Sequence, residues 1–214
     1  MTLIERINKY KLIAIVRGID QDKIIDTCNA LYAGGISMIE VTFNQTSETG
    51  NEDTYNAIKQ ISSVMGSKIS VGAGTVMTVE QVELAVKAGA EYIISPNFDK
   101  EVVARTIELG AASIPGVMTP TEIVNAYNAG AVAVKIFPIV SLGIEYIKAI
   151  KSPISHIPIL AVGGVDLDNV GNYIRAGVIG VGIGSCLVDK KLINKGKFNE
   201  ITELAKKFVN NVQV

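Results

Sequence analysis

The feature that most constrains the fold is a unit that recurs along the chain: an amphipathic segment, a glycine, then a short apolar run rich in β-branched residues. Gly34, Gly66, Gly89, Gly110, Gly130 and Gly177 each stand just past a helical pattern. Glycine is the expected stop there, because it enters the left-handed conformation without a Cβ penalty. The apolar runs cover residues 11–17, 36–42, 69–73, 91–95, 111–114, 131–136, 158–162 and 178–182. They are short and almost uniformly apolar, which predicts strands of a parallel sheet buried on both faces. Helix starts are legible between them. Thr119-Pro-Thr-Glu122 combines an N-cap threonine, a proline at the first helical position and a capping-box glutamate. Thr78 and Gln81 predict a second box, and Asp20 and Asp166 are expected N-caps. Eight strands alternating with helices, with no linker or low-complexity tract, predict an α/β chain folded as a (β/α)8 TIM barrel, residues 1–214 forming a single domain. An open doubly wound sheet is the alternative.

Scarcity narrows the chemistry. His156 is the only histidine, so neither a histidine-rich zinc site nor a Ser-His-Asp triad has its parts, and no metal or cofactor is expected. His156 itself is expected at the surface or an interface. Proton transfer then falls to carboxylates, lysines, tyrosines or water. A net charge of -1 gives no basic footprint, so nucleic acid is not an expected partner. No apolar run is long enough to span a membrane, and the opening Met-Thr-Leu-Ile-Glu-Arg-Ile lacks a signal-peptide apolar block. Cys28 and Cys186 read as small buried residues in a reducing compartment, which makes the cytoplasm the expected location. Arginine occurs only at Arg6, Arg17, Arg105 and Arg175.

In a (β/α)8 barrel the chemistry sits at the C-terminal strand ends. Those ends carry Arg17, Glu40 with Thr42, Gly72-Ala-Gly-Thr75, Ser95-Pro96-Asn97, Pro115-Gly116, Lys135, Gly163-Gly164 and Gly184-Ser185. Alternation in the sixth run places Ala131, Ala133 and Lys135 on one face and Val132, Val134 and Ile136 on the other. The small alanines leave room for a lysine stem inside the barrel. There a lysine loses solvation, its pKa falls and a neutral nucleophilic amine becomes available. A lysine snorkelling to the rim, or neutralising a buried acid, fits the same spacing. Glu40 shares a face with Ile36 and Met38 and converges on the same mouth, as a structural ion-pair partner or as an acid/base group. Thr75 falls on the parity of Val71 and Ala73, in a glycine-loosened turn whose amides can meet a carboxylate. The glycines after the seventh and eighth runs suit a phosphate cradle, since they let backbone amides approach an anion.

The ordered set Ile39-Glu-Val-Thr42, Val71-Gly-Ala-Gly-Thr-Val76, Ile94-Ser-Pro-Asn97, Ile114-Pro-Gly-Val-Met-Thr-Pro120, Val134-Lys-Ile-Phe-Pro138 and Ala161-Val-Gly-Gly-Val165 resembles the 2-keto-3-deoxy-6-phosphogluconate (KDPG)/4-hydroxy-2-oxoglutarate (KHG) aldolase family. The likeness runs from about Ile13 to Leu187. It implies a class I aldolase acting on a keto-acid phosphate, with Lys135 as Schiff-base lysine and Glu40 as general acid/base. Thr75 would hold the pyruvyl carboxylate, and Gly163, Gly164, Gly184 and Ser185 the phosphate. Pro96 would line the site, and Phe137 would pack on the pyruvyl group or in the core. A metal-independent homotrimer is also implied. The best-known bacterial members carry Glu-Val-Thr-Leu-Arg-Thr where this chain has Glu40-Val-Thr-Phe-Asn-Gln45. Asn44 therefore stands at the site of an arginine, and a neutral amide cannot make its bidentate charged contact. Arg17 is the candidate replacement. Ile-Val-Arg17-Gly with Asn44 is also similar to the 2-keto-3-deoxy-6-phosphogalactonate aldolases, so the gluconate epimer is the first expectation and the galactonate epimer the alternative. A phosphate-binding barrel isomerase or epimerase, and a catalytically silent sugar-phosphate sensor, are the rival readings.

Overall fold

In the computed structural model, which describes residues 1–213, the apolar runs do become parallel strands. They are β1 (Leu12–Val16), β2 (Met38–Thr42), β3 (Ser70–Gly74), β4 (Tyr92–Ile94), β5 (Ala112–Ile114), β6 (Gly116–Val117), β7 (Val134–Ile136), β8 (Ile159–Val162) and β9 (Gly180–Ile183). Their order is β5-β4-β3-β2-β1-β9-β8-β7-β6. The eight runs give nine strands because the fifth strand runs on past its expected end at Ile114 and is divided at Pro115, which has no N–H to donate. Its first half pairs with β4 and its second with β7. The Pro115 carbonyl still accepts a bond from the Lys135 amide at 2.9 Å, so the divided strand closes a TIM barrel. The sixth run shortens to β7, and Ala131 and Val132 fall outside the strand alternation.

Two apolar layers follow from the parity of the strands. Ile13, Met38, Tyr92, Ile94, Ile114, Ala133, Leu160 and Val162 fill the barrel interior. Val16, Ile39, Val41, Val71, Ala73, Val134 and Ile136 face outward into a second cluster shared with the helices. Each fully buried aliphatic side chain contributes about 1.5–3 kcal/mol. The helices are α1 (Leu3–Tyr10), α2 (Ile24–Ala33), α3 (Gly50–Met65), α4 (Val79–Ala88), α5 (Lys100–Glu108), α6 (Pro120–Asn128), α7 (Gly143–Lys151), α8 (Val170–Arg175), α9 (Lys190–Asn194) and α10 (Phe198–Asn211). Helix α1 opens with a complete capping box of Thr2 and Glu5 and sends Ile7 into the barrel interior at the end opposite the strand C-termini.

Many helix signals fold as read. The Thr119–Glu122 box is complete, whereas the second expected box is only half formed: Thr78 accepts from the Gln81 amide, but the Gln81 side chain does not return to Thr78. Asp166 does not cap α8, whose cap position is Asn169; it closes the turn just ahead by accepting from the Asp168 and Asn169 amides. Asp20 instead precedes a 3-10 turn, and its carboxylate pairs with Lys23 at 3.0 Å. Gly89, Gly110, Gly130 and Gly177 are left-handed as expected, but after α2 that role belongs to Gly35. Gly34 serves close packing: a Cβ there would lie 2.3 Å from the Ala205 methyl of α10.

Candidate active site

The strand C-termini surround a cavity of about 940 Å³ whose lining includes Arg17, Glu40, Thr75, Pro96, Lys135, Phe137, Gly163, Gly164, Gly184 and Ser185. Ten of the eleven residues expected at the site thus converge, and Asn44 does not. Asn44 lies beyond β2, exposed, where its Oδ1 accepts from the Thr46 amide and hydroxyl at 3.1 and 2.9 Å. It lines a separate crevice of about 340 Å³ with residues of α2 and α3. Asn44, expected to bind substrate, thus stands outside the cavity lining, with its Oδ1 taken by the local turn.

Lys135 occupies the centre of β7. Val134 and Ile136 point to the helices, and Ala133 leaves the inner wall free for the lysine stem. The residue is only 5% exposed. Burial pushes its pKa below the ordinary lysine range, the charge of Glu40 pulls it back up, and Arg17 pushes it down again. Its Nζ stands 4.8 Å from the centroid of the Phe137 ring, which is itself 39% exposed over the cavity.

Glu40 projects inward from β2 and is 1% exposed. Burial raises its pKa, and Lys135 and then Arg17 oppose the rise. The two groups feel each other's charge, yet none of the ion pairs among the described residues joins them. Glu40 Oε2 has no hydrogen-bond partner at all. A buried orphan carboxylate oxygen is costly in a folded protein, so this one is an acceptor held ready. Its seat is made by Gly74 of β3, where a Cβ would fall 1.7 Å from Oε1. Beneath it the buried Tyr92 donates to the Ile39 carbonyl at 2.7 Å, in space left by Gly72.

Thr75 reaches the cavity by a route that strand parity does not give. Val71 and Ala73 face the helices, so continued alternation would carry Thr75 outward too. Instead its φ of 56 places it in the left-handed region, reversing the side chain into the cavity. That conformation costs a β-branched residue about 1–3 kcal/mol. Arg17 Nη2 donates to the Thr75 hydroxyl at 3.3 Å. Of the four arginines, Arg17 alone lines this cavity.

Across the mouth, Gly163 (φ 90) and Gly164 (φ 83) turn in left-handed conformations against Phe137 and Val140. Gly184 has open space around it, and Ser185 is exposed beside it. Four residues with no side-chain bulk or a short hydroxyl therefore face the cavity where an anion can be met by amides. Lys190 and Lys191, which the sequence did not single out, also line this rim. No three described His, Cys, Asp or Glu side chains gather as metal ligands would. His156 is exposed and meets Tyr127 edge-on at 5.7 Å.

The family model described as KDPG and KHG aldolase matches residues 3–204. The chain belongs to that family. Its members are aldolases, carbon–carbon lyases, and this chain is one of them. A 2-dehydro-3-deoxy-6-phosphogalactonate aldolase of Escherichia coli (strain K12) is 38% identical over 180 residues, 84% of this chain and 85% of its own length. A 2-dehydro-3-deoxy-phosphogluconate aldolase of Haemophilus influenzae is 30% identical over 212 residues, 99% of this chain and 97% of the relative. Among solved structures, a KDPG aldolase of Legionella pneumophila, with pyruvate captured as a covalent carbinolamine intermediate, superposes with a TM-score of 0.86. It is 27% identical and covers 96% of this chain and 97% of its own.

Proposed function

We propose that this aldolase cleaves 2-dehydro-3-deoxy-6-phosphogluconate to pyruvate and glyceraldehyde 3-phosphate through an imine on Lys135. The observation that carries the proposal is a lysine with a burial-lowered pKa facing an orphaned buried carboxylate in one cavity. Neutral Lys135 attacks the C2 ketone, and the carbinolamine loses water to give an iminium. Glu40, through a water, takes the proton of the C4 hydroxyl. The electrons of the C3–C4 bond pass into the iminium, leaving an enamine and releasing the aldehyde. Glu40 returns the proton to C3, and hydrolysis frees pyruvate and regenerates the amine. Thr75 and Arg17 receive the carboxylate, Pro96 and Phe137 flank the pyruvyl group, and Gly163, Gly164, Gly184 and Ser185 receive the phosphate. Cleavage of 4-hydroxy-2-oxoglutarate to pyruvate and glyoxylate follows from the same chemistry without a phosphate.

The galactonate epimer is the second reading, favoured by the 38% identical relative and by Asn44 standing outside the cavity. The test is pyruvate release, coupled to lactate dehydrogenase, from the two epimers and from 4-hydroxy-2-oxoglutarate compared side by side. A higher kcat/KM for the gluconate epimer supports the main reading, the opposite order supports the second, and no release from any of them refutes both. We further propose that residues 1–214 act as one domain within a homotrimer. Exposed Ile107, Val124 and Tyr127 on α5 and α6 offer apolar surface for it, and sedimentation would measure the assembly. No described helix is long and apolar enough to cross a membrane. Cys28 is buried as expected and Cys186 is exposed against expectation; both thiols are free, which suits a reducing cytoplasm.

A further inference from the structure

Beside the cavity, and outside it, lies a chain of side-chain amides that ends on the one strained residue of the site. Gln81, in the first turn of α4, is 4% exposed. The helix start does not need its side chain, because Thr78 already accepts from the Gln81 amide at 3.2 Å. Nor does that side chain turn back to the cap residue as a capping box would. It reaches further, and its Oε1 accepts from the Met77 amide at 2.9 Å. With the oxygen committed, the NH2 group must face the other way, and it donates to Gln45 Oε1 and Asn51 Oδ1, both at 3.1 Å. Gln45 is turned in consequence: its oxygen accepts from Gln81, and its nitrogen donates to the Thr75 carbonyl at 2.7 Å and, at the longer distance of 3.4 Å, back to Gln81 Oε1. An amide carries donors on one atom and acceptors on the other, so each orientation dictates the next.

This chain bridges the loop after β2, the first turns of α3 and α4, and the turn after β3. Its terminus is the residue whose left-handed backbone turns its side chain from the helix layer into the cavity. We infer that Gln81 and Gln45 are positioning residues that hold Thr75 in that conformation, so that its hydroxyl, with Arg17, meets the carboxylate of a 2-keto acid. The inference rests on the carboxylate role proposed for Thr75. It assigns the amide chain to binding of the keto-acid end and not to the chemistry of Lys135 and Glu40.

A double-mutant cycle tests it. The readout is the pyruvate concentration that half-saturates borohydride trapping on the enzyme, together with kcat and KM for the keto-acid phosphate. Gln81→Met and Gln45→Ala should each raise the half-saturating concentration by about tenfold, on the scale of one lost hydrogen bond, with kcat falling far less. In a Thr75→Ala background neither should raise it further. A role in general stability would add in both backgrounds, and that additivity would overturn the inference. So would unchanged half-saturation in both single variants while Thr75→Ala alone raises it. A Thr75→Ala enzyme that binds pyruvate like the parent would remove the carboxylate role itself. Gln45 is exposed, so Gln45→Ala keeps the test open if Gln81→Met does not fold.

Discussion

Gly74→Ala is the most searching single perturbation, because it adds one methyl group to β3 and aims it at Glu40. The new Cβ would lie 1.7 Å from Oε1, 2.4 Å from Cδ and 2.5 Å from Cγ. Ordinary contact begins at 3.4 Å, so the carboxylate must withdraw by about 1.7 Å. Gly74 is not among the left-handed glycines, so alanine meets no backbone strain there. The cost comes from overpacking alone, about 1–3 kcal/mol, or several degrees of Tm in a chain of this size. The larger effect is functional. A misplacement of this order at a reacting group lowers rates by about a hundredfold. The coupled pyruvate assay should therefore show kcat for cleavage down by about that factor, while borohydride still traps pyruvate on Lys135, which keeps its place on β7. Cleavage at the parent rate in a folded Gly74→Ala enzyme would refute the placement of Glu40 as the acid/base group.

Three further outcomes follow from the same geometry. Lys135→Met should abolish imine trapping and raise Tm. The folded pKa of Lys135 lies below its ordinary 10.5, so between the two values the unfolded chain holds more protons and the parent loses stability as pH falls. The gain measured calorimetrically should be present at pH 7 and shrink towards pH 10.5. The pH midpoint of pyruvate trapping should move down in Glu40→Gln, which removes a charge that raises the Lys135 pKa, and up in Arg17→Ala, which removes one that lowers it; coincident midpoints would contradict the coupling. Ser185→Ala should raise KM about tenfold for the phosphorylated keto acid and leave 4-hydroxy-2-oxoglutarate unaffected; equal effects on both substrates would move the phosphate elsewhere.

Much of this architecture is legible in the sequence because short apolar runs and helix-stopping glycines have local causes. Lys135 and Glu40 were readable for the same reason: strand alternation alone aims both side chains inward. Thr75 marks where that logic ends. Its parity points at the helices, and only a left-handed φ, held by groups remote in sequence, turns it into the cavity. Gln45 leaves no signature and Gln81 reads only as part of a capping box, because their joint meaning lies in a contact across 36 positions. Asn44 stands where relatives carry a longer, charged residue, but an asparagine there closes a turn on Thr46. Helix α1 lies ahead of the repeating unit, so only the capping-box spacing of Thr2 and Glu5 marks it in the sequence. The division of the fifth strand at Pro115 was visible as a proline, but which half pairs with which neighbour depends on closure of the barrel.

The central claim is that Lys135 is the amine that holds the substrate, and it can be read directly by mass. Reduction with borohydride in the presence of pyruvate, followed by peptide mapping, should add the reduced pyruvyl group to Lys135 and to no other lysine, with loss of activity in proportion. An unmodified Lys135 in an enzyme that still releases pyruvate, or the label on Lys190 or Lys191 instead, would contradict the account.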